Sequence, residues 1–172
     1  MKKLVFLFSV VVVIAAACTN SSKIGSPVSP EADTLKYAEE THFKNVQQLT
    51  FGGDNAEAYW SYDGKYLIFQ RTNPKDGLEC DQMFIGKVPT KAGEKFTYKM
   101  VSTGKGRTTC GFFTKDGKHV IYASTHLGGN DCPPVPDRAK YGNKYIWPLY
   151  ESFDIFMADL DGKIVKQLTN AK

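Results

Sequence analysis

Between positions 46 and 170 the chain alternates short apolar or aromatic runs with clusters of Asp, Gly, Asn and Lys. Runs of this length that are rich in β-branched and aromatic residues are typical of β-strands, and the polar clusters between them are typical of turns. The pattern predicts an all-β fold with a leading strand at residues 46–50 and eight further strands. These eight are expected at residues 56–61, 65–70, 81–88, 96–101, 108–114, 119–123, 154–159 and 164–169.

One stretch of the chain occurs twice. Residues 59–70 contain the turn Asp63-Gly64, and residues 112–124 contain the turn Asp116-Gly117, 53 residues later. An aromatic residue lies three positions before each Asp, and glycine allows the positive φ that a tight hairpin needs. The repeat predicts two four-stranded antiparallel units. They are expected at residues 46–103 and 104–172, the second with a long insertion at residues 126–148.

The beginning of the chain has the pattern of an export signal. Lys2 and Lys3 precede an uncharged apolar run that ends at residue 17 and is too short to span a bilayer comfortably. The run leads into Cys18 in a sequence that resembles the lipobox of bacterial lipoproteins. The resemblance implies that residues 1–17 are removed and that Cys18 is lipidated, so the membrane is an expected partner. The alternative is an ordinary signal peptide with an incidental cysteine.

Two short segments connect this signal to the predicted strands. Residues 18–30 are rich in Ser, Asn, Lys, Gly and Pro and have almost nothing to bury, which predicts a flexible linker. In residues 31–45, Leu35 and Ala38 lie at helical spacing, which predicts a short helix or an extended lead-in.

Charge and motifs exclude several function classes. The chain has 22 basic and 18 acidic residues, and removal of residues 1–17 leaves 20 against 18, an excess too small to indicate nucleic-acid binding. No Gly-x-Ser-x-Gly elbow and no His-Glu-x-x-His motif occurs in the sequence. We therefore predict no catalytic residues, no cofactor and no enzymatic activity.

Several motifs resemble those of TolB-like β-propellers over about residues 46–170. They are Gln48-Leu49-Thr50, the stretch from Trp60 to Lys65, Leu67-Ile68-Phe69, residues 154–162 and Gln167-Leu168-Thr169. Tyr62 and Lys115 depart from the family pattern, which has Pro before the Asp-Gly turn. The resemblance implies a partial β-propeller of two four-stranded blades plus the leading strand. Because the family closes about six blades, it also implies that this sequence is the N-terminal part of a longer propeller.

The resemblance also implies which end of the strands carries function. In such blades the Asp-Gly turns share one rim, and the longer, polar loops share the opposite rim, where function is most often found. The candidate binding rim comprises Asp54, Asn55, Glu79, Arg107, His126, Arg138, Tyr145 and Trp147.

Three cysteines follow Cys18, which in an oxidising compartment predicts one disulfide and one free thiol. Cys110 with Cys132 is the first expectation, and Cys80 with Cys110 is the alternative. A metal site formed by His126, Asp131 and Cys132 is disfavoured, because the ligand spacing typical of metal sites is missing.

The aromatic residues of the insertion allow two interpretations. In the favoured one, Trp147, Pro148, Leu149 and Tyr150 pack the long loop down onto the second unit, because a loop of this length needs a small core of its own. In the other, the aromatic residues of the loop form a surface for a glycan or peptide together with the basic residues near them. This surface comprises Tyr141, Tyr145, Trp147 and Tyr150 with Arg138, Lys140 and Lys144.

The resemblances to the lipobox and to TolB-like propellers thus imply a non-catalytic, exported and membrane-anchored lipoprotein that acts as a scaffold binding envelope proteins or cell-wall polymer. The alternative is the N-terminal propeller of a prolyl-oligopeptidase-like peptidase whose catalytic domain lies beyond residue 172.

Overall fold

The computed structural model describes residues 35–44, 46–91 and 93–170, which belong to two compact units divided after Val46. In the first unit, residues 35–44 make turns, where a short helix or an extended lead-in is predicted. The Glu40 side chain accepts a hydrogen bond from the Tyr37 amide at 2.8 Å, and the Glu40 amide donates to the Tyr37 carbonyl at 3.1 Å. This reciprocal pair closes one turn, and the Phe43 amide, which donates to the Glu40 carbonyl, closes the next. Residues 31–34, the signal segment and Cys18 lie outside the described residues.

The second unit confirms the all-β prediction, with two four-stranded antiparallel sheets. The first sheet has the order β1 (Asp54–Trp60), β2 (Tyr66–Asn73), β3 (Leu78–Lys87) and β4 (Thr97–Met100). The second has the order β5 (Thr108–Phe113), β6 (His119–Ser124), β7 (Asp154–Asp159) and β8 (Ile164–Gln167). Single 3-10 turns lie at Pro74–Asp76 and Arg138–Tyr141. No helix in the described ranges is long and apolar enough to cross a bilayer.

The predicted leading strand at residues 46–50 is absent, because these residues have an irregular backbone. At the other end of the unit, Leu168 of the returning Gln-Leu-Thr triplet bonds through its amide to the Ile155 carbonyl of β7. A strand needs such a neighbour for its backbone groups, and no strand precedes residue 46 in the part of the chain that is described.

The two Asp-Gly turns fold in the same way. In the first sheet, the Ser61 hydroxyl donates to Asp63 at 2.7 Å, and the Asp63 carboxylate accepts the Lys65 amide at 3.1 Å. In the second, the Thr114 hydroxyl donates to Asp116 at 2.5 Å. These bonds satisfy the polar groups of the turn locally, so each repeat fixes its own hairpin.

The core lies between the two sheets. Ile68 and Met83 of the first sheet and Val120 of the second are fully buried, and Tyr122 is only 1% exposed. Gly111 permits this packing, because a Cβ atom there would lie 2.5 Å from the Met83 Cε atom. The core is therefore built from the facing sides of the two repeats.

On the other face of the first sheet, four aromatic rings pack together. Phe69 contacts Phe84, Phe96 and Tyr98, with ring centroids 5.2 to 5.9 Å apart. The guanidinium of the buried Arg71 lies 5.9 Å from the centroids of two of these rings and forms an ion pair with Asp76. This face is closed by its own side chains, since Phe69 and Phe84 are buried.

The disulfide differs from both predicted pairings. Cys80 of β3 is bonded to Cys132 of the insertion, and Cys110 is a free, exposed thiol. Cys110 lies where the β5 backbone is left-handed, and its side chain points to Glu57 rather than to Cys132. The disulfide therefore connects the first sheet to the insertion of the second.

Candidate functional site

A cleft of about 330 Å³ lies between the two sheets and the insertion. Its lining is mainly apolar and aromatic, with a few charged side chains at its base. The lining residues are Glu57, Gln70, Asp81, Arg107, Thr109, Cys110, Val135, Pro136, Arg138, Tyr145, Ile146, Trp147, Pro148, Tyr150 and Phe153. A concave apolar surface with a few convergent polar groups is the usual form of a ligand site.

An ion pair joins the two sheets at the base of the cleft. Arg107 Nη1 donates to Asp81 Oδ2 at 2.6 Å, and both side chains are largely buried. The Thr72 hydroxyl donates to the other oxygen of Asp81. Beside this pair, the Thr109 hydroxyl donates to Gln70 Oε1 at 2.6 Å. The polar groups at the base mostly satisfy one another, which holds this part of the cleft in a fixed shape.

Glu57 and Cys110 contribute side chains to the cleft from matching β-bulges. The register of β1 with β2 shifts between Ala56 and Tyr59, and that of β5 with β6 shifts between Thr109 and Phe112. Within these bulges, Glu57 has φ of 48° and Cys110 has φ of 55°. A bulge re-aims the side chain it contains, and both side chains line the same cleft.

The environment of Cys110 raises the pKa of its thiol. Burial is the main cause, and the nearby Glu57 carboxylate adds to it, while a hydrogen bond with Thr109 acts in the opposite direction. A thiol with a raised pKa is protonated at neutral pH and is a poor nucleophile.

The aromatic wall of the cleft is formed by the insertion, which in the structure is the whole connection between β6 and β7, residues 125–153. Tyr145 and Trp147 are 71% and 75% exposed, with their rings in an edge-to-face arrangement at 6.0 Å. The Arg138 guanidinium lies 5.2 Å from the Tyr145 ring centroid. The favoured prediction that residues 147–150 pack the loop down is therefore wrong for Trp147 and for Leu149, which is 95% exposed, whereas Pro148 and Tyr150 are half-buried.

Other contacts hold the insertion in place. Its covalent attachment is the disulfide of Cys132, and the Tyr150 hydroxyl donates to the Pro134 carbonyl at 3.0 Å. The Gly106 amide donates to the Asn130 carbonyl at 2.9 Å. Because these contacts order the loop, the rings of Tyr145 and Trp147 are not needed as its core.

The cleft includes only half of the predicted binding rim. Arg107, Arg138, Tyr145 and Trp147 line it. The other four predicted residues, Asp54, Asn55, Glu79 and His126, are not among its lining residues. His126 lies against the Phe156 ring at 4.3 Å, where burial and then Lys105 lower its pKa. That position gives His126 a packing role.

Sequence reasoning missed Glu57, Gln70, Asp81 and Thr109 as members of the cleft. A signal for Glu57 existed, because it lies at the position of Cys110 when the two repeats are aligned. Nothing in the sequence indicates that both positions are left-handed, since neither residue is the Gly or Asn that favours such a backbone.

The described part of the chain contains no group of three His, Cys, Asp or Glu side chains arranged to hold a metal ion. The disfavoured metal site of His126, Asp131 and Cys132 has no thiolate ligand, because the Cys132 sulfur is bonded to Cys80.

The geometry defines a class of protein: an all-β chain of two repeated antiparallel sheets with an aromatic cleft at their junction. Comparison with protein-family models gave no match, and comparison with curated proteins gave none either.

Proposed function

We propose that this chain is a non-catalytic binding module of the cell envelope, with TolB-like propeller blades, which holds a segment of an envelope protein or wall polymer in the cleft. The observation that carries the proposal is the exposure of Tyr145 and Trp147 on an ordered wall of that cleft. Large aromatic rings left in water at a concave surface are typical of recognition sites, because a ligand that covers them removes much apolar area from water.

The charges of the cleft support a polar, extended ligand. Arg107 is paired with Asp81, whereas Arg138 rests on the Tyr145 ring and Glu57 is exposed. A cation and a carboxylate in one cleft, together with exposed aromatic rings, suit a sugar ring or a peptide side chain with flanking amides.

Export and lipid anchoring are part of the proposal. The signal-like residues 1–17 and the lipobox-like sequence at Cys18 motivate it, and the disulfide between Cys80 and Cys132 supports it, because disulfides persist in oxidising compartments outside the cytosol. Incorporation of labelled fatty acid into the chain, and its loss in Cys18→Ser, tests the anchor separately from the cleft.

The raised pKa of the Cys110 thiol supports binding rather than covalent catalysis at the cleft. A binding role requires no nucleophile and uses only the shape, the rings and the charges described above.

The test is co-sedimentation of the purified chain with isolated cell-wall polymer, in parallel with cross-linking to envelope proteins in intact cells. Trp147→Ala should reduce binding about thirtyfold, the effect of a residue that contributes about 2 kcal/mol at the centre of an interface. Leu149→Ala is the matched control, because Leu149 is also exposed on the insertion but does not line the cleft.

Fluorescence gives an independent measurement. The chain contains two tryptophans, so Trp60→Phe leaves Trp147 as the single reporter. A ligand in the cleft should shift the Trp147 emission to shorter wavelength, because the ring leaves water. Equal binding by Trp147→Ala and Leu149→Ala, with no emission shift, contradicts the proposed function.

A further inference from the structure

The face of the second sheet that points away from the first carries a row of apolar side chains. Ile121, Met157 and Ile155 lie next to one another across β6 and β7, and Leu168 follows β8. Ile155 is 40% exposed and Leu168 is 39% exposed. In the described residues, this face has no covering layer comparable to the one over the opposite face.

The same positions in the first sheet are fully covered. The register matches the two sheets at the centres of their strands: Phe84 lies opposite Phe69 and Met100, and Phe156 lies opposite Tyr122 and Gln167. The match ends after Met157, where the pairing of β7 with β8 shifts and that of β3 with β4 does not. The counterparts of Ile121, Ile155, Met157 and Leu168 are therefore Ile68, Met83, Ile85 and Val101. These four are 0%, 0%, 5% and 0% exposed, because the second sheet packs on them.

The chain leaves the last strand of each sheet through the same set of hydrogen bonds. After the first sheet, the Val101 amide donates to the Met83 carbonyl at 2.8 Å, and the Met83 amide donates to the Ser102 hydroxyl at 3.0 Å. After the second sheet, the Leu168 amide donates to the Ile155 carbonyl at 2.7 Å, and the Ile155 amide donates to the Thr169 hydroxyl at 2.8 Å.

The hydroxyls of this connection have matching acceptors as well. Ser102 donates to Gln82 at 2.7 Å, and Thr169 donates to Asp154 at 2.8 Å. Gln82 and Asp154 are themselves at corresponding positions, since each precedes the strand residue bonded to the hydroxyl. The connection that carries the chain from the first sheet into the second is thus built a second time at Leu168 and Thr169.

The opposite end of the pair of sheets is closed. The counterparts of Tyr122 and Phe156 on the first sheet are Phe69 and Phe84, and Phe96 and Tyr98 pack over them. In arrays of repeats, a terminal unit covers its own outer face, whereas an internal unit leaves its face for the next. By this criterion the first sheet covers its outer face with its own side chains, whereas the second leaves its outer face for another unit.

We propose that the open face of the second sheet binds a further four-stranded unit of this repeat, which enters through the chain segment after Thr169. The unit presents the side chains that the second sheet presents to the first, namely a Gly on its first strand and large apolar residues on its second and third strands. This inference does not depend on the ligand proposed for the cleft.

The experiment adds such a unit to the full chain. A copy of residues 104–170 is joined directly after Asn170, because Thr103 and Asn170 are counterparts and Gly104 follows Thr103. Ile155→Lys in the original second sheet should speed proteolysis of the added unit about tenfold, since it places an unpaired charge in the new contact. Leu127→Lys is the matched control, because Leu127 is 62% exposed on the insertion, away from this face.

Amide exchange shows whether the added unit is folded at all. We expect protected amides in its strands and tighter protection of β7 in the extended chain than in the unextended one. An added unit without protection overturns the proposal, and so does equal proteolysis of the Ile155→Lys and Leu127→Lys chains.

Sedimentation of the unextended chain tests whether a second copy of this chain, instead of a further repeat unit, binds the open face of the second sheet. A monomer, with or without Ile155→Lys, is expected when the face is reserved for a further repeat unit. A stable dimer that Ile155→Lys dissociates overturns the proposal, because the face is then an interface between copies.

Discussion

Glu57 and Cys110 occupy the same position in the two sheets, and both have a left-handed backbone, with φ of 48° and 55°. Neither residue is glycine, so each position carries a local conformational cost of about 1–2 kcal/mol. Both bulges have this strained backbone, and both side chains line the same cleft. The bulges therefore connect the repeat of the fold to the shape of the candidate site.

Relief of this strain gives the first prediction. Cys110→Gly should raise the free energy of unfolding by about 1 kcal/mol, because glycine adopts positive φ without a steric cost. Urea denaturation measures the change. Ala123→Gly in β6 is the control and should lower stability by about 0.5–1 kcal/mol, since glycine in an ordinary strand only adds entropy to the unfolded chain. Equal destabilisation by both variants contradicts the proposed strain.

The disulfide between Cys80 and Cys132 gives the second prediction. It closes a loop with a sequence separation of 52 residues. Replacement of both cysteines by serine should lower the free energy of unfolding by about 4 kcal/mol, which is the loop-closure entropy expected for a loop of this length. Cys110→Ser should leave the disulfide intact. Peptide mapping without reductant should yield one linked peptide pair with Cys80 and Cys132; a pair that contains Cys110 contradicts the structure.

Tyr122 gives the third prediction. Its hydroxyl is buried and has no hydrogen-bond partner in the described part of the chain, and burial raises its pKa to about 12. Tyr122→Phe should raise stability by about 1–2 kcal/mol, because an unsatisfied buried hydroxyl is removed. A destabilised Tyr122→Phe protein would show that the hydroxyl has a favourable partner.

The same residue should affect stability in alkali. The pKa of Tyr122 is higher in the folded state than the value of about 10 for an unfolded chain. The folded state therefore favours the protonated Tyr122 hydroxyl more than the unfolded chain does. The free energy of unfolding that depends on this proton is fully present below about pH 10 and is lost as pH rises towards about 12. Melting temperatures across this range should fall more steeply for the wild-type chain than for Tyr122→Phe.

The Asp-Gly turns give the fourth prediction, at acidic pH. The hydrogen bond from Ser61 lowers the pKa of Asp63, and the bond from Thr114 lowers that of Asp116. A depressed folded-state pKa means that the stabilisation is present above about pH 4 and is lost as pH falls through the folded-state values. The double variant Asp63→Asn and Asp116→Asn should show a flatter fall of melting temperature below about pH 4. An unchanged slope argues against a role of these turns in acid stability.

The strands were predictable because their signals are local. Asp63-Gly64 and Asp116-Gly117 fix the hairpins through hydrogen bonds within a few residues, and the strand runs on either side are apolar or β-branched. The helix predicted in residues 31–45 rested on two apolar residues, which is too little to overcome the cost of helix nucleation.

The cleft was predictable only in part because it depends on the path of the insertion. Residues 125–153 have no periodic pattern that specifies a path, and cysteine pairing does not follow from sequence spacing. The bond of Cys80 to Cys132 brings the insertion over the junction of the sheets and leaves Trp147 in water. The disulfide between Cys80 and Cys132 thus determines which of the predicted rim residues line the cleft.

The disulfide also changes what a cut in the backbone does. Cys80 precedes the loop between β3 and β4, and Cys132 follows it, so a protease that cuts this loop yields two fragments that remain one covalent molecule. Such a nicked chain separates on a gel only after reduction. Under the proposed lipidation of Cys18, the disulfide would keep the fragment that carries Trp147 attached to the membrane after the cut.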